Sequence, residues 1–175
     1  MIRVGGKVKG FKRGDKVFGV ALGSFVEFAI VPSRRVAKMP RGMEYPMAAS
    51  LPTPGITAYQ ILCDLIRPRR GDLVLILEAA SDIGAFSVQI AKYLGAAVVA
   101  CASERDAKYL RELGADQVIE RETQRFEKLL RNVDAVIDLE GAAWTERSLR
   151  VLREGAILVS LEGEWQSDQV SRLGL

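Results

Sequence analysis

The sequence predicts an α/β chain built on a doubly wound parallel sheet of about five strands. Three observations carry this. From Leu73 onward, short apolar runs alternate with amphipathic stretches. Their strand–helix–strand spacing calls for right-handed crossovers, which set helices on both faces of a parallel sheet. Finally, Leu77–Lys92, LEAASDIGAFSVQIAK, inserts a loop of small residues between a buried strand and an amphipathic helix.

The elements follow in order. The first 40 or so residues read as β: VFGVALG, FVEFAIV and RRVAKMP are short strands punctuated by glycines, Pro32 and Pro40. The stretch MEYPMAASLPTPGITAYQILCDLI, beginning at Met43, reads as two short helices broken by Pro52 and Pro54, with Gly55–Thr57 opening the second. Leu73–Leu77 is a continuous apolar strand of the kind buried on both faces. Ile83–Leu94 carries Ile83, Phe86, Ile90, Ala91 and Leu94 at helical spacing. AAVVACA is a second strand, DAKYLRELG a helix closed by Gly114, DQVIE a third strand and TQRFEKLLRN a further helix. VDAVIDL, the helix WTERSLRVLREG and the strand AILVSLEG complete the series.

At 175 residues, 49% hydrophobic and 27% charged, the chain has the composition of an ordinary globular protein with a real core. No apolar run is long enough to span a membrane, and MIRVGGKVKGFKRGDK lacks the apolar region of a secretory signal. The chain therefore reads as cytoplasmic, with no membrane partner. Cys63 and Cys101 fit no metal spacing and read as free core thiols. Histidine is absent, which excludes His-based triads, His zinc sites and the commonest acid/base group. The net charge is only +3, and the basic clusters lack interleaved aromatics or a recognisable module. They read as solvated surface, so no nucleic-acid partner is expected.

A set of ordered segments carries a family resemblance. FKRGDKVFG, FVEFAIVPSRRVAKMP and MAASLPTPGITAY are followed by GDLVLIL, the loop ending in Gly84, SVQIAKYLGA, YLRELGAD, VDAVIDLEG and SLRVLREGAILVSL. Together they resemble the medium-chain dehydrogenase/reductase superfamily across the junction of its GroES-like and cofactor domains. Without histidine or a cysteine cluster, the chain is similar to the zinc-free branch, the NADPH-dependent quinone oxidoreductases and enoyl reductases, including those of polyketide and fatty acid synthases. Short-chain dehydrogenases are excluded, because none of the four tyrosines has a lysine four residues on.

The resemblance implies a partial GroES-like β segment over 1–45, a connecting helical segment over 46–70 and a Rossmann-like dinucleotide-binding domain over 71–175. Members of the superfamily are about twice this long, so both ends look cut. It also implies NADPH as cofactor, a quinone or enoyl thioester as substrate, and a homo-oligomer or a completing partner chain.

Site residues follow the same resemblance. A dinucleotide loop needs a tight turn, close backbone approach to the pyrophosphate and close helix–strand packing. Against the G-x-G-x-x-G pattern the chain has Ala79 in the first glycine position, then Ser81, Asp82, Ile83 and Gly84. Ser81 would crowd a pyrophosphate. Asp82 would cap the helix with the same N–H groups that hold phosphate, and Glu78 adds a second carboxylate. After the second strand, Ser103 and Arg105 match the pair that holds a 2′-phosphate in the NADPH reductases, and Lys108 lies one helical turn on. Arg121 stands where relatives often carry tyrosine and is suited to a phosphate. Thr57 and Tyr59 resemble the segment lining the nicotinamide side, and Tyr59 is the candidate proton donor to an enolate or quinol oxygen. Asp134 and Asp138 match a VDxxxDxxG run of largely structural role.

Two functions stay open at this point. One is an NADPH-dependent reductase or its cofactor-binding part. The other is an inactive, degenerate reductase-like module serving as scaffold or oligomerisation surface.

Overall fold

The computed structural model describes residues 1–141 and 143–162. The chain divides into two compact units, one ending at Ile56 and the other beginning at Thr57. The connecting segment expected over 46–70 is thus divided between them.

In the first unit, β1 (Val17–Gly19) pairs antiparallel with β2 (Val36–Lys38), Phe18 opposite Ala37. FVEFAIV forms no strand, contrary to expectation. An alternating segment becomes a strand only when a neighbouring edge satisfies its backbone groups. Among the described residues β1 and β2 pair only with each other. Apart from the half-buried Val31, the apolar side chains of the segment stay exposed, Phe25 and Ile30 completely so. α1 (Tyr45–Ser50) has Pro46 in its first turn.

α2 (Pro52–Tyr59) opens at Pro52, so the prolines start this helix and do not break it. A first-turn proline lacks only an N–H that has no intrahelical partner, and its φ is already helical. The helix runs on into a π-helical stretch, Gln60–Ile66, which buries Ile61, Leu62 and Ile66. It stops at Arg67, whose φ of 53° is left-handed.

The second unit holds the sheet. β3 (Leu73–Leu77), β4 (Ala97–Ala102), β5 (Gln117–Glu120), β6 (Val133–Asp138) and β7 (Leu152–Ser160) are all parallel, in the order β5-β4-β3-β6-β7. The helices between them are α3 (Asp82–Tyr93), α4 (Ala107–Glu112), α5 (Phe126–Leu129) and α6 (Ala143–Leu149). Strand side chains alternate between faces, and β3 shows both. Val74 and Ile76 join a core with Leu62, Val88 and Leu110, whereas Leu75 and Leu77 join Phe126, Leu130 and Val133 on the other side. A strand apolar on both faces is what this double burial demands.

Two helices are shorter than the sequence suggests. α5 is a single turn, because Gln124 folds back to accept the Glu120 N–H at 2.9 Å and Leu130 is extended. Its fully buried Phe126 anchors it. α6 ends at Leu149, and the sheet claims Leu152 as partner of Val133. Gly155, at φ +70°, sits in the register irregularity that follows, before Ala135 pairs with Ile157. Tertiary pairing here overrides a run of good helix formers.

Among the described residues, no helix is long and apolar enough to cross a membrane.

Candidate functional site

The strand order reverses between β3 and β6. In an open parallel sheet this leaves a crevice at the C-terminal strand ends, where the flanking loops splay apart. The residues there are Glu78 after β3, Ser103 after β4, Arg121 after β5 and Glu140 after β6.

The loop from Glu78 to Gly84 is tightly held. Glu78 adopts a left-handed φ of 51°, and its carbonyl accepts the Ser81 N–H at 3.0 Å. The buried Ala79 donates its N–H to the Cys101 carbonyl of β4 at 3.1 Å. Ser81 is the N-cap of α3: its Oγ accepts the Gly84 N–H at 3.1 Å. Asp82, expected to be the cap, lies one residue inside, and its Oδ1 accepts the N–H of Ile83 at 2.8 Å. The cap falls to Ser81 because its extended backbone (φ −66°, ψ 169°) aims the short side chain back at the first turn. Gly84 presses against the strand end. A Cβ there would stand 2.5 Å from the Glu78 carbonyl oxygen and 2.7 Å from Ala79 Cα.

The second group surrounds the turn after β4. The Ser103 hydroxyl donates to Glu122 Oε1 at 2.7 Å, and this bond holds the Glu122 carboxyl below its usual range. Arg105 and Lys108 extend into solvent, with their nearest acids on their own elements: Asp106 at 3.6 Å and Glu112 at 3.9 Å.

Arg121 is turned inward. Its Nη1 donates to Glu78 Oε2 and, at 2.5 Å, to Glu140 Oε1, and its guanidinium lies 5.7 Å from the centre of the Trp144 ring. Burial, then a hydrogen bond with the Glu78 side chain, pushes the Glu140 carboxyl up to about 7, against the pull of Arg121. Two carboxylates and one guanidinium thus bridge the ends of β3, β5 and β6.

Asp138 and Asp134 separate. Asp138 is buried at the crevice end of β6, accepting N–H bonds from Glu140 (3.0 Å) and Gly141 (2.9 Å) and a bond from the Thr145 hydroxyl. Asp134 lies at the start of the same strand, accepting the Leu73 N–H at 2.7 Å and Arg153 Nε at 2.5 Å. Thr57 is half-buried on α2. Tyr59, 56% exposed, lines an open groove with Cys63, Phe86, Ile90 and Tyr93 along the flank of α3. Cys101 is buried, and desolvation pushes its thiol up to about 12, so it is no nucleophile at neutral pH. Among the described residues, no three acidic, cysteine or histidine side chains are placed to hold a metal ion.

The structure brings Ala79, Ser81, Ile83 and Gly84 together at one helix start, and Arg121 with Glu78. It leaves Arg105 on the exposed turn after β4 and Lys108 on the solvent side of α4. Sequence reasoning missed Glu140, Glu122 and Trp144. The signal available for Glu140 was its place just past an apolar strand, the same place Glu78 holds after β3.

A parallel sheet reversing at β3/β6, with a small-residue loop feeding a helix at that point, defines a dinucleotide-domain type of fold. The comparisons with known proteins specify it. The family model described as zinc-binding dehydrogenase matches residues 83–171. A spectinabilin polyketide synthase system protein, NorB of Streptomyces orinoci, is 37% identical over 163 residues, covering 90% of this chain and 8% of that protein. The chloroplastic NADPH-dependent alkenal/one oxidoreductase of Arabidopsis thaliana is 30% identical over 177 residues, covering 93% and 45%. The quinone oxidoreductase structure from Coxiella burnetii superposes with a TM-score of 0.82 at 29% identity, covering 99% of this chain and 63% of that one. The CurK enoyl reductase structure gives 0.84 at 27%, covering 97% and 54%. This chain belongs to the zinc-binding dehydrogenase family, within the medium-chain dehydrogenase/reductase superfamily, on its quinone oxidoreductase and enoyl reductase branch. It spans less than half the length of the two relatives named.

Proposed function

We propose that the chain is the cofactor-binding part of an NADPH-dependent reductase acting on a quinone or on the C=C bond of an enoyl thioester. The observation that carries this reading is the contact of Gly84 with the backbone of Glu78 and Ala79. It sets the N-terminus of a twelve-residue helix directly behind the strand reversal. The similarity to an NADPH-dependent oxidoreductase and to an enoyl reductase structure supports the cofactor and substrate class.

The residues present fit an anionic dinucleotide at two places. Ala79, Ser81, Ile83 and Gly84 form a loop of mostly small side chains at a helix start, able to take a pyrophosphate. Ser103, Arg105 and Lys108 supply a hydroxyl and positive charge for a 2′-phosphate, whereas Arg121, expected to join them, is engaged by Glu78 and Glu140. A bound reduced nicotinamide supplies the hydride. The chain's own part is to hold and orient, with Thr57 and Tyr59 on the nicotinamide side and the Tyr59 hydroxyl giving a proton to the substrate oxygen. A homo-oligomer or a completing chain would supply the rest of the substrate site, in the cytoplasm.

A second reading has its own support. Ser81 and Asp82 engage the first N–H groups of α3, and Glu78, Asp82 and Glu140 put negative charge at the crevice. A chain with those features would serve as a scaffold in a reductase's shape. Calorimetric titration of NADPH and NADH, beside the double substitution Ser81→Gly/Asp82→Gly, separates the two. The reductase reading requires NADPH to bind the unmodified chain more tightly than NADH. Binding by the double variant alone would establish the scaffold reading.

A further inference from the structure

The Glu78–Arg121–Glu140 bridge lies where the dinucleotide reading puts a polyanion, and the role proposed for it rests on that reading. One nitrogen, Arg121 Nη1, serves a carboxylate oxygen from each glutamate, which holds the two side chains against the same cation. Two carboxyl groups drawn to one cation repel each other when both are charged, and a proton on one relieves that repulsion. With both ionised, one guanidinium leaves an excess negative charge at the crevice.

The surroundings do not remove it. On the β3 side stands Glu78 itself, and on β4 the protonated Cys101 thiol. After β5, Glu122 lies 3.8 Å from Arg121 Nε, already engaged by Ser103. On β6 is the buried Asp138, with its own donors. Past β7, Glu162 sits beside Gly141. Among the described residues a second cation, Arg147 of α6, pairs with Glu127 at 2.7 Å and stacks over Trp144.

We propose that dinucleotide binding to this crevice is proton-linked: the ligand's negative charge enters together with a proton taken up by Glu140 beside Glu78, while Arg121 stays between the two side chains. An incoming phosphate is repelled by the fully ionised pair and less so by the singly protonated one. Reciprocity then requires the bound anion to favour the protonated pair by the same factor. Crowding and burial already bring Glu140 to about 7, so the transition falls within the neutral range. Two carboxylates at a phosphate crevice are, on this account, the source of a pH-dependent affinity and not a simple defect.

The experiment is calorimetric titration of the full chain with NADP⁺ and with NAD⁺ from pH 6.5 to 8.5, in two buffers of different ionisation enthalpy. NAD⁺ has no 2′-phosphate, so its profile isolates the protein's own protons. For both ligands Kd is expected to rise about three- to tenfold per pH unit above neutrality, with a matching proton uptake. Glu140→Gln is expected to bind with a nearly constant Kd and no uptake, and Glu78→Gln to flatten the profile likewise should the first variant fold poorly. Binding with a flat profile in the unmodified chain, or an unchanged slope in both folded variants, overturns the proton linkage and leaves the dinucleotide reading standing. Absence of binding by any form at any pH overturns both.

Discussion

Gly84 and Glu78 are joined by a contact that admits no side chain: a Cβ on residue 84 would lie 2.5 Å from the Glu78 carbonyl oxygen. The obstacle is backbone on both sides, so no rotamer change relieves it. Gly84→Ala must push α3 off β3 or distort the turn. The expected loss of stability is about 2–3 kcal/mol, at the upper end of ordinary overpacking. Urea denaturation followed by far-UV circular dichroism measures it; a midpoint unchanged from the parent would mean that the helix start is free to shift.

The two polar residues before Gly84 should separate in effect. Ser81 supplies the side-chain cap of α3, and its replacement by alanine should cost about 1 kcal/mol. Asp82 is exposed and bonds only its neighbour's N–H, so Asp82→Ala should cost a few tenths, roughly the value of a first-turn charge. Thermal melts of the two variants rank them, and the reverse ranking would return the cap to Asp82.

Glu140 makes stability depend on pH with a definite sign. Its carboxyl rises from 4.5 to about 7 on folding, so the native state binds the extra proton between those values. The contribution is fully present below about 4.5 and lost as pH rises through about 7. The parent should therefore lose stability between pH 5 and 8 relative to Glu140→Gln, which lacks this titration. Urea midpoints of both proteins at four pH values across that range test it, and parallel curves would refute it.

Phe126 anchors a one-turn helix and stacks on Trp144, ring centres 6.0 Å apart, with Arg147 over both rings. Truncation to alanine empties a fully buried site and unseats a cation on two aromatic faces. A loss of about 3–5 kcal/mol is expected by denaturant titration. A loss under about 1 kcal/mol would point instead to collapse of the neighbouring chain into the void.

Asp138 gathers two backbone N–H groups and the Thr145 hydroxyl inside the protein. Asp138→Ala strands those donors, a penalty of about 1–3 kcal/mol for each left unsatisfied. Asp138→Asn keeps one acceptor oxygen and should recover part of the loss. Comparing the two by denaturant titration tells a hydrogen-bonding role from simple packing.

The parts of the fold most legible in the sequence were those buried on two sides. Leu73–Leu77 is apolar throughout and Val133–Asp138 is apolar apart from its two aspartates, because both faces of each strand are buried and no other pattern competes. Legibility failed where a partner elsewhere decides the outcome. FVEFAIV alternates like a strand, yet alternation cannot supply a pairing edge. Leu152 looks helical among arginines and a glutamate until Val133 pairs with it. At the site, loop and helix start are contiguous, so the close approach of Gly84 to the strand was expected from the resemblance, whereas the cap expected at Asp82 falls to Ser81. The Arg121–Glu140 bond joins loops that follow different strands, and no local pattern announces it.

Asp134 leads to a different kind of consequence. At the rim opposite the crevice it clasps the backbone of β3 and the arginine of β7, so one side chain fastens three strands at their starts. The sheet has a foundation at one end and the candidate site at the other. Anyone remodelling the pocket can randomise the loops after β3, β4 and β6 while leaving that clasp intact. Colonies that fail such a screen can then be sorted: soluble ones have lost recognition, and insoluble ones have lost the scaffold.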